Sequence, residues 1–267
     1  MRTITLTTDF GLGDWFVGTM KAVILGIHPR ANVVDITHEI PPGDLRAGAF
    51  ALMASCRYFP KGTVHLAVVD PGVGSQRRAI AVRTANRFFV GPDNGVLSWA
   101  LAPEKIKTIR LLENREYFLE PVSRTFHGRD IFAPVAAHLS RGLSAARLGR
   151  ELTDYVRVPW PQTTKQRGAV QGEIVHIDRF GNTITNIEAQ LVSCERAGTC
   201  ELMGEQKVRC ALAESYGAVP VNRPVAVIGS SGLLEIAVNG GSAARQFGLK
   251  IGDKVTVRMK SRPRLPA

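Results

Sequence analysis

A change of pattern at Pro159-Trp160-Pro161 constrains this chain of 267 residues more than any other feature. Before it, short β-branched runs alternate with helical patterns. Residues 3–8, 32–35, 64–69, 79–83 and 88–91 read as strands. Residues 15–26, 44–58 and 131–140 read as helices, the last entered through Asp130 as a cap, and 143–148 adds a short helical turn. Such alternation predicts an α/β domain with a largely parallel sheet, spanning 1–158. The stretch 159–168 is polar and proline-marked, with no apolar period, and reads as a linker. Beyond it only strand candidates follow, at 169–177, 183–187, 207–211, 225–228, 234–238 and 254–259. These predict a smaller C-terminal all-β domain at 169–267, a barrel that ends in a basic tail.

Composition narrows the class of protein. With 45% hydrophobic and 21% charged residues the chain can build sizeable cores, which excludes disorder throughout. No apolar run approaches the ~20 residues that span a bilayer, so no membrane partner is expected. The start, Met-Arg-Thr-Ile-Thr, lacks the apolar core of a signal peptide, and the expected location is cytoplasmic. Lys+Arg 34 against Asp+Glu 23 gives a net charge of +11, a field that draws nucleic acid. The basic residues are scattered in ones and twos, however, and only 258–264 concentrates them. A solvated surface with a basic tail accounts for that distribution, and no nucleic-acid partner is expected. Cys56, Cys194, Cys200 and Cys210 show no Cys-x-x-Cys spacing, so the expectation is isolated thiols without a metal.

In open α/β sheets ligands gather beyond the carboxyl ends of the strands. Four segments at such places are unusually polar: Thr7-Thr8-Asp9-Phe10-Gly11, with Asp14 just beyond; Val69-Asp70-Pro71-Gly72-Val73-Gly74, with Arg77 beyond; Pro92-Asp93-Asn94-Gly95; and Thr125-Phe126-His127-Gly128-Arg129-Asp130. Each pairs glycine, which lets backbone approach a ligand, with a group able to act on it. Asp9 can accept two hydrogen bonds from a ribose diol or cap a turn. Asp70 can bond its own backbone, and His127 can be a satisfied, partly buried histidine. In the second half, Phe180 offers a face for stacking on a base, or is the inward residue of a hairpin turn. Asn182 and Ser230 carry the mixed donors and acceptors that suit a zwitterionic amino-acid moiety. There is no complete Gly-x-Gly-x-x-Gly, no Walker-type Gly-Lys-Ser/Thr and no Gly-x-Ser-x-Gly.

Taken together and in this order, Thr-Thr-Asp-Phe-Gly, Val-Asp-Pro-Gly-Val-Gly, Pro-Asp-Asn-Gly, Thr-Phe-His-Gly-Arg-Asp and Phe-Gly-Asn make a specific combination. The chain resembles the S-adenosylmethionine hydroxide adenosyltransferases, relatives of the S-adenosylmethionine-dependent fluorinase and chlorinase, from Thr7 to about Val257. The resemblance implies an N-terminal α/β domain joined to a C-terminal β-barrel. It also implies a homotrimer with each site between one subunit's N-terminal domain and its neighbour's C-terminal domain. It carries the hydrolytic Asp, Arg and His set onto Asp70, Arg77 and His127. Asp9 falls at the ribose-binding aspartate, Phe180 and Asn182 at adenine- and methionine-side contacts, and Ser230 at a methionine contact. Asn94, Asp14 and Asp178 match further binding positions.

The halogenases carry tyrosine where this chain has Asp70, whose negative charge repels a halide in a partly dehydrated pocket. Gly128 stands at the fluorinase's serine, but the chlorinase has glycine there as well. Ser231 and Val238 replace two arginines of the halogenases. The activity implied is hydrolysis of S-adenosylmethionine to adenosine and L-methionine, by attack of water or hydroxide on the ribose C5′. S-adenosylmethionine is then the substrate, and no cofactor or metal is expected, because the sulfonium already activates its leaving group. The alternatives are halogenation, nucleosidase chemistry at the anomeric carbon, and a non-catalytic nucleic-acid-binding protein.

Overall fold

The computed structural model describes residues 2–166, 168–192, 197–203 and 207–259, and the chain forms two units, 1–158 and 159–267. Cys194 and residues 260–267 of the basic tail lie outside the described residues.

In the first unit the β-branched and apolar runs make seven strands: β1 (Thr3–Thr8), β2 (Asn32–Thr37), β3 (Val64–Val68), β4 (Ala79–Thr84), β5 (Phe88–Pro92), β6 (Ile106–Leu111) and β7 (Glu151–Leu152). Their order in the sheet is β2-β1-β3-β5-β4-β6-β7. The first four strands of that order pair in parallel and the rest antiparallel. The sheet is therefore parallel on one side and antiparallel on the other. Helices α1 (Phe16–Ile27) and α4 (Ala133–Ser140) cover one face, where Ile4, Leu6 and Leu66 meet Met20, Ile24 and Phe132. Helices α2 (Leu45–Cys56) and α3 (Ser98–Leu101) serve the other, around Leu52, Phe89 and Leu97. Strand β3 has no exposed residue, as expected of a parallel strand covered on both faces, and its one polar side chain, His65, is bonded to Thr5.

Asp44 caps α2, accepting from Ala47 N at 2.9 Å. Asp130 is not a cap. It sits, fully buried, inside a π-helical turn (Gly128–Phe132) that precedes α4, where it accepts from Ser123 N and from the Arg129 guanidinium. The 143–148 segment is a 3-10 turn, Ala145–Leu148. Strand β6 has no counterpart in the sequence reading, because Lys107 and Arg110 interrupt its apolar residues.

The second unit is an eight-stranded, nearly closed antiparallel barrel. Its strands are β8 (Thr164–Gln166), β9 (Ala169–Ile177), β10 (Thr183–Glu188), β11 (Ala197–Met203), β12 (Lys207–Cys210), β13 (Pro224–Ile228), β14 (Leu233–Val238) and β15 (Lys254–Met259). They run in the order β12-β11-β15-β9-β10-β14-β13, with β8 added beside β9. Ile174, Leu234, Ile236 and Val255 are without exposure at its centre. The unit departs from the expected pattern: β11 has no counterpart among the expected strands, and 3-10 turns occur at Ala189–Leu191 and Tyr216–Ala218. Strand β8 occupies part of the expected linker, and a helix, α5 (Ala243–Phe247), follows β14, capped by Ser242. Five residues are too few to show a helical period.

Candidate active site

Strand β1 lies between β2 and β3. The connection through α1 leads to one neighbour and the connection through α2 to the other, so the carboxyl ends of β1 and β3 form a topological switch point. Asp9 follows β1, Asp70 follows β3, and the two strands are in register at Thr8 and Val68.

Asp70 does not turn back on its own backbone. Its oxygens receive Nε of Arg77 at 3.0 Å each, and Oδ2 receives Nη2 at 2.5 Å. The same Nη2 donates to His127 Nδ1 at 2.7 Å. The structure thus brings Asp70, Arg77 and His127 together, with the guanidinium as the bridge. The Asp70 and Arg77 side chains are 5% and 10% exposed, and the guanidinium lies 5.3 Å from the centre of the Phe132 ring. Two local features allow this meeting. Gly74, at φ +76°, runs so close to the 123–127 segment that a Cβ there would stand 2.3 Å from the Arg124 carbonyl oxygen. The π-helical turn Gly128–Phe132 then begins one residue after His127, and such rare turns are frequent at functional sites.

A guanidinium only donates, so Nδ1 of His127 accepts and, in the neutral ring, the proton sits on Nε2. Burial first, and then the Arg77 charge, hold this imidazole below its ordinary value of 6.5, against the pull of Asp70, Asp130 and the Ser123 backbone. The ring is therefore neutral near pH 7. Asp70 and His127 form part of the wall of a cavity of about 140 Å³, otherwise lined by Phe10, Phe16, Phe126, Val68, Val73, Thr125 and Gly128. Phe10, Phe16 and Phe126 contact one another edge-on or tilted, with centroids 5.1–5.9 Å apart. The sequence had offered Phe10 and Phe126 only as neighbours of polar residues. Their clustering with Phe16 depends on α1 and the 123–127 segment meeting across the end of the sheet.

The other expected residues divide by unit. Asp9 accepts from Gly43 N at 2.8 Å through Oδ2. Asp14 is exposed in the loop before α1. Asn94 spends both ends of its amide on backbone, donating to Val69 O and accepting from Val96 N. It therefore fixes the end of β3 beside Asp70. In the barrel unit, Asp178 organises the turn between β9 and β10, accepting from Phe180 N, Asn182 N and Asn182 Nδ2 at 2.9–3.0 Å. Phe180 is 74% exposed and is not the inward residue of that hairpin, while Asn182 is buried. Ser230 stands in the turn between β13 and β14. Among the described residues no group of three or more His, Cys, Asp and Glu side chains is placed to hold a metal ion, and no helix is long and apolar enough to cross a membrane.

A switch-point site of this kind on an α/β unit, followed by a β-barrel unit, defines the class. Residues 4–149 match the family model for the SAM hydroxide adenosyltransferase N-terminal domain, and residues 172–256 match that for the C-terminal domain. The chain belongs to the S-adenosylmethionine hydroxide adenosyltransferase family. It is 42% identical over 270 residues to the (R)-S-adenosyl-L-methionine hydrolase of Thermus thermophilus, covering 94% of this chain and 98% of that one. A fluorinase from an Actinoplanes species is more distant, at 28% over 289 residues, covering 95% and 96%. The crystal structure of an uncharacterized conserved protein from Thermotoga maritima superposes with a TM-score of 0.90 at 40% identity, covering 96% of this chain and 99% of that one.

Proposed function

We propose that this chain hydrolyses S-adenosyl-L-methionine to adenosine and L-methionine by attack of water or hydroxide on the ribose C5′ carbon. The observation that carries the proposal is the Asp70–Arg77–His127 set, bridged by Arg77, with Asp70 and His127 on the wall of an aromatic-lined cavity. Membership of the family supports it, and so does the name of the Thermus relative. That name specifies the (R) configuration at sulfur, and we extend the same stereochemistry to this substrate.

The chemistry follows from the sulfonium. The oxygen nucleophile forms its bond to C5′ as the C5′–S bond breaks, and the electron pair returns to sulfur, leaving neutral methionine. Nδ1 of His127 is engaged by Arg77, so the ring serves as a donor through Nε2 and orients the attacking oxygen. Asp70 keeps a free lone pair on Oδ1, which takes one hydrogen bond against two on Oδ2, and accepts the proton of the water there. Arg77 holds both groups in place, and its charge favours hydroxide character. The three phenylalanines make much of the cavity wall apolar, a surface whose aromatic rings suit a cationic sulfonium. Asp70 also disfavours halide as the nucleophile, by charge repulsion in a poorly hydrated pocket.

Asp9 takes the ribose hydroxyls with Asp14 beside it, while Asn94 acts from behind by holding β3. Phe180 stacks on the adenine, and Asp178, Asn182 and Ser230 receive the methionine portion. These residues belong to two units, and the working form is a homotrimer in which each substrate draws on two subunits. The location is cytoplasmic, a reducing compartment that suits the buried free thiols of Cys56, Cys200 and Cys210. No cofactor, nucleic acid or membrane enters the reaction.

Incubation with S-adenosylmethionine in oxygen-18 water tests the proposal. Adenosine labelled at the 5′ hydroxyl is expected, with unlabelled methionine. Free adenine marks a nucleosidase, and a 5′-chloro nucleoside in chloride buffer marks a halogenase. Either product, or unlabelled adenosine, overturns the assignment.

A further inference from the structure

Glu235 stands on β14 opposite Ile184 of β10 and Val227 of β13, and is only 5% exposed. Tyr216, from the 3-10 turn Tyr216–Ala218 ahead of β13, donates its hydroxyl to Oε1 at 2.6 Å. Oε2 receives no hydrogen bond from a described residue. It lies against the turn that carries Ser230, so close that a Cβ on Gly229 would stand 2.3 Å away. Glycine at 229 leaves room for the carboxylate in this position under that turn.

Asp178 is the second carboxylate of this cluster, near enough to act through its charge on both Glu235 and Tyr216. Burial and then the Asp178 charge hold the Glu235 carboxyl above its usual range, against the opposing pull of the Tyr216 hydrogen bond. Neither carboxylate has a Lys, Arg or His ion-pair partner among the described residues, although the barrel pairs Glu173 and Glu201 with cations elsewhere. An anion buried without a counter-charge is strongly unfavourable, and one hydroxyl offsets only part of that. A glutamine would serve a purely structural bond to Tyr216 at lower cost. The arrangement makes physical sense when a cation arrives from outside.

We propose that Glu235, held by Tyr216 beneath the Ser230 turn, is a positioning residue that makes the barrel unit select ligands with a cationic amino-acid end, through its field on the α-ammonium group of the methionine portion. This rests on the substrate assignment above and adds to it the group that sets charge selectivity.

Glu235→Gln keeps the size and can still accept from Tyr216, but removes the charge. Its KM for S-adenosylmethionine rises tenfold or more while kcat falls less than threefold. Competitive inhibition by adenosine, which lacks the amino-acid end, keeps the same inhibition constant. An unchanged KM overturns the proposal, as does an equal weakening of adenosine, which marks a structural role. Should Glu235→Gln fail to fold, Tyr216→Phe removes a single hydroxyl from a side chain 43% exposed. A KM rise of about threefold with adenosine unaffected is then expected, and no rise overturns the proposal. A wild type that releases no adenosine from S-adenosylmethionine refutes the hydrolase assignment instead. Calorimetric titration with S-adenosylmethionine and adenosine then still reads the selectivity of wild type and variant directly.

Discussion

At the scale of single residues, the arrangement around Arg77 decides what each partner can do. One guanidinium nitrogen bonds both the Asp70 carboxylate and the His127 ring. The ring is thereby committed to one tautomer and the carboxylate to one orientation, with the Asp70 and Arg77 side chains almost out of solvent and His127 half-buried. Removing the charge of Asp70 without changing its size separates binding from chemistry. Asp70→Asn is expected to lower kcat by 10²-fold or more, the scale of positioned acid–base catalysis, while KM moves little. Steady-state kinetics against S-adenosylmethionine checks this. A parallel collapse of affinity would place Asp70 in ground-state binding instead.

At the scale of elements, the set exists because two loops from distant parts of the chain touch. The 70–78 segment follows β3 and the 123–127 segment leads into the π-helical turn before α4. Gly74 is where they meet, with a left-handed φ and no space for a Cβ against the Arg124 carbonyl. Gly74→Ala introduces both backbone strain and a clash with main chain that cannot rotate away. A destabilisation of more than about 1 kcal/mol is expected, together with loss of most activity, because Arg77 is carried away from His127. Urea unfolding and kinetics on the same preparation check the two effects. Full activity in the alanine variant would show that the loops are held together by other contacts.

At the scale of the whole molecule, stability and assembly each yield an expectation. His65 is without exposure in the sheet, bonded through Nδ1 to Thr5 and packed between Phe59 and Phe89. Burial, and then the Arg87 charge, depress its pKa from 6.5 to about 3. The unfolded chain therefore takes up a proton below pH 6.5 that the folded chain refuses, and stability falls as pH falls from 6.5 towards 3. The slope is about 1.4 kcal/mol per pH unit for one proton. Between pH 6.5 and 5 this one group removes about 1.7 kcal/mol, and His127 and His138 shift in the same direction. In His65→Leu that part of the slope disappears, which urea midpoints at the two pH values measure. For assembly, the proposed trimer predicts complementation. Mixing an inactive Asp70→Asn chain with an inactive chain altered at Phe180 and Asn182, after exchange of subunits, restores part of the activity. Mixtures as inactive as their parents would confine each site to one chain.

Much of the architecture was legible in the residues. Strand β1 at Thr3–Thr8, strand β9 at Ala169–Ile177 and strand β15 at Lys254–Met259 have the bounds expected, because period and β-branching are local properties. The candidate segments were legible too, since glycine beside a charged residue at a strand end is a local pattern. The antiparallel half of the sheet was not, because strand direction depends on which neighbour each edge finds, as when β4 inserts between β5 and β6. The role of Asp130 was lost for a similar reason. Local sequence makes it a cap, whereas tertiary contact with Ser123 and Arg129 buries it in a π-helical turn. Phe180 was undecided between core and surface until the Asp178 turn set its direction. What only the tertiary structure decided is which groups touch. Asp70, Arg77 and His127 span 58 positions of sequence, and the bonds from Arg77 to both partners exist because chain topology, not local propensity, returns the 123–127 segment to the end of β3.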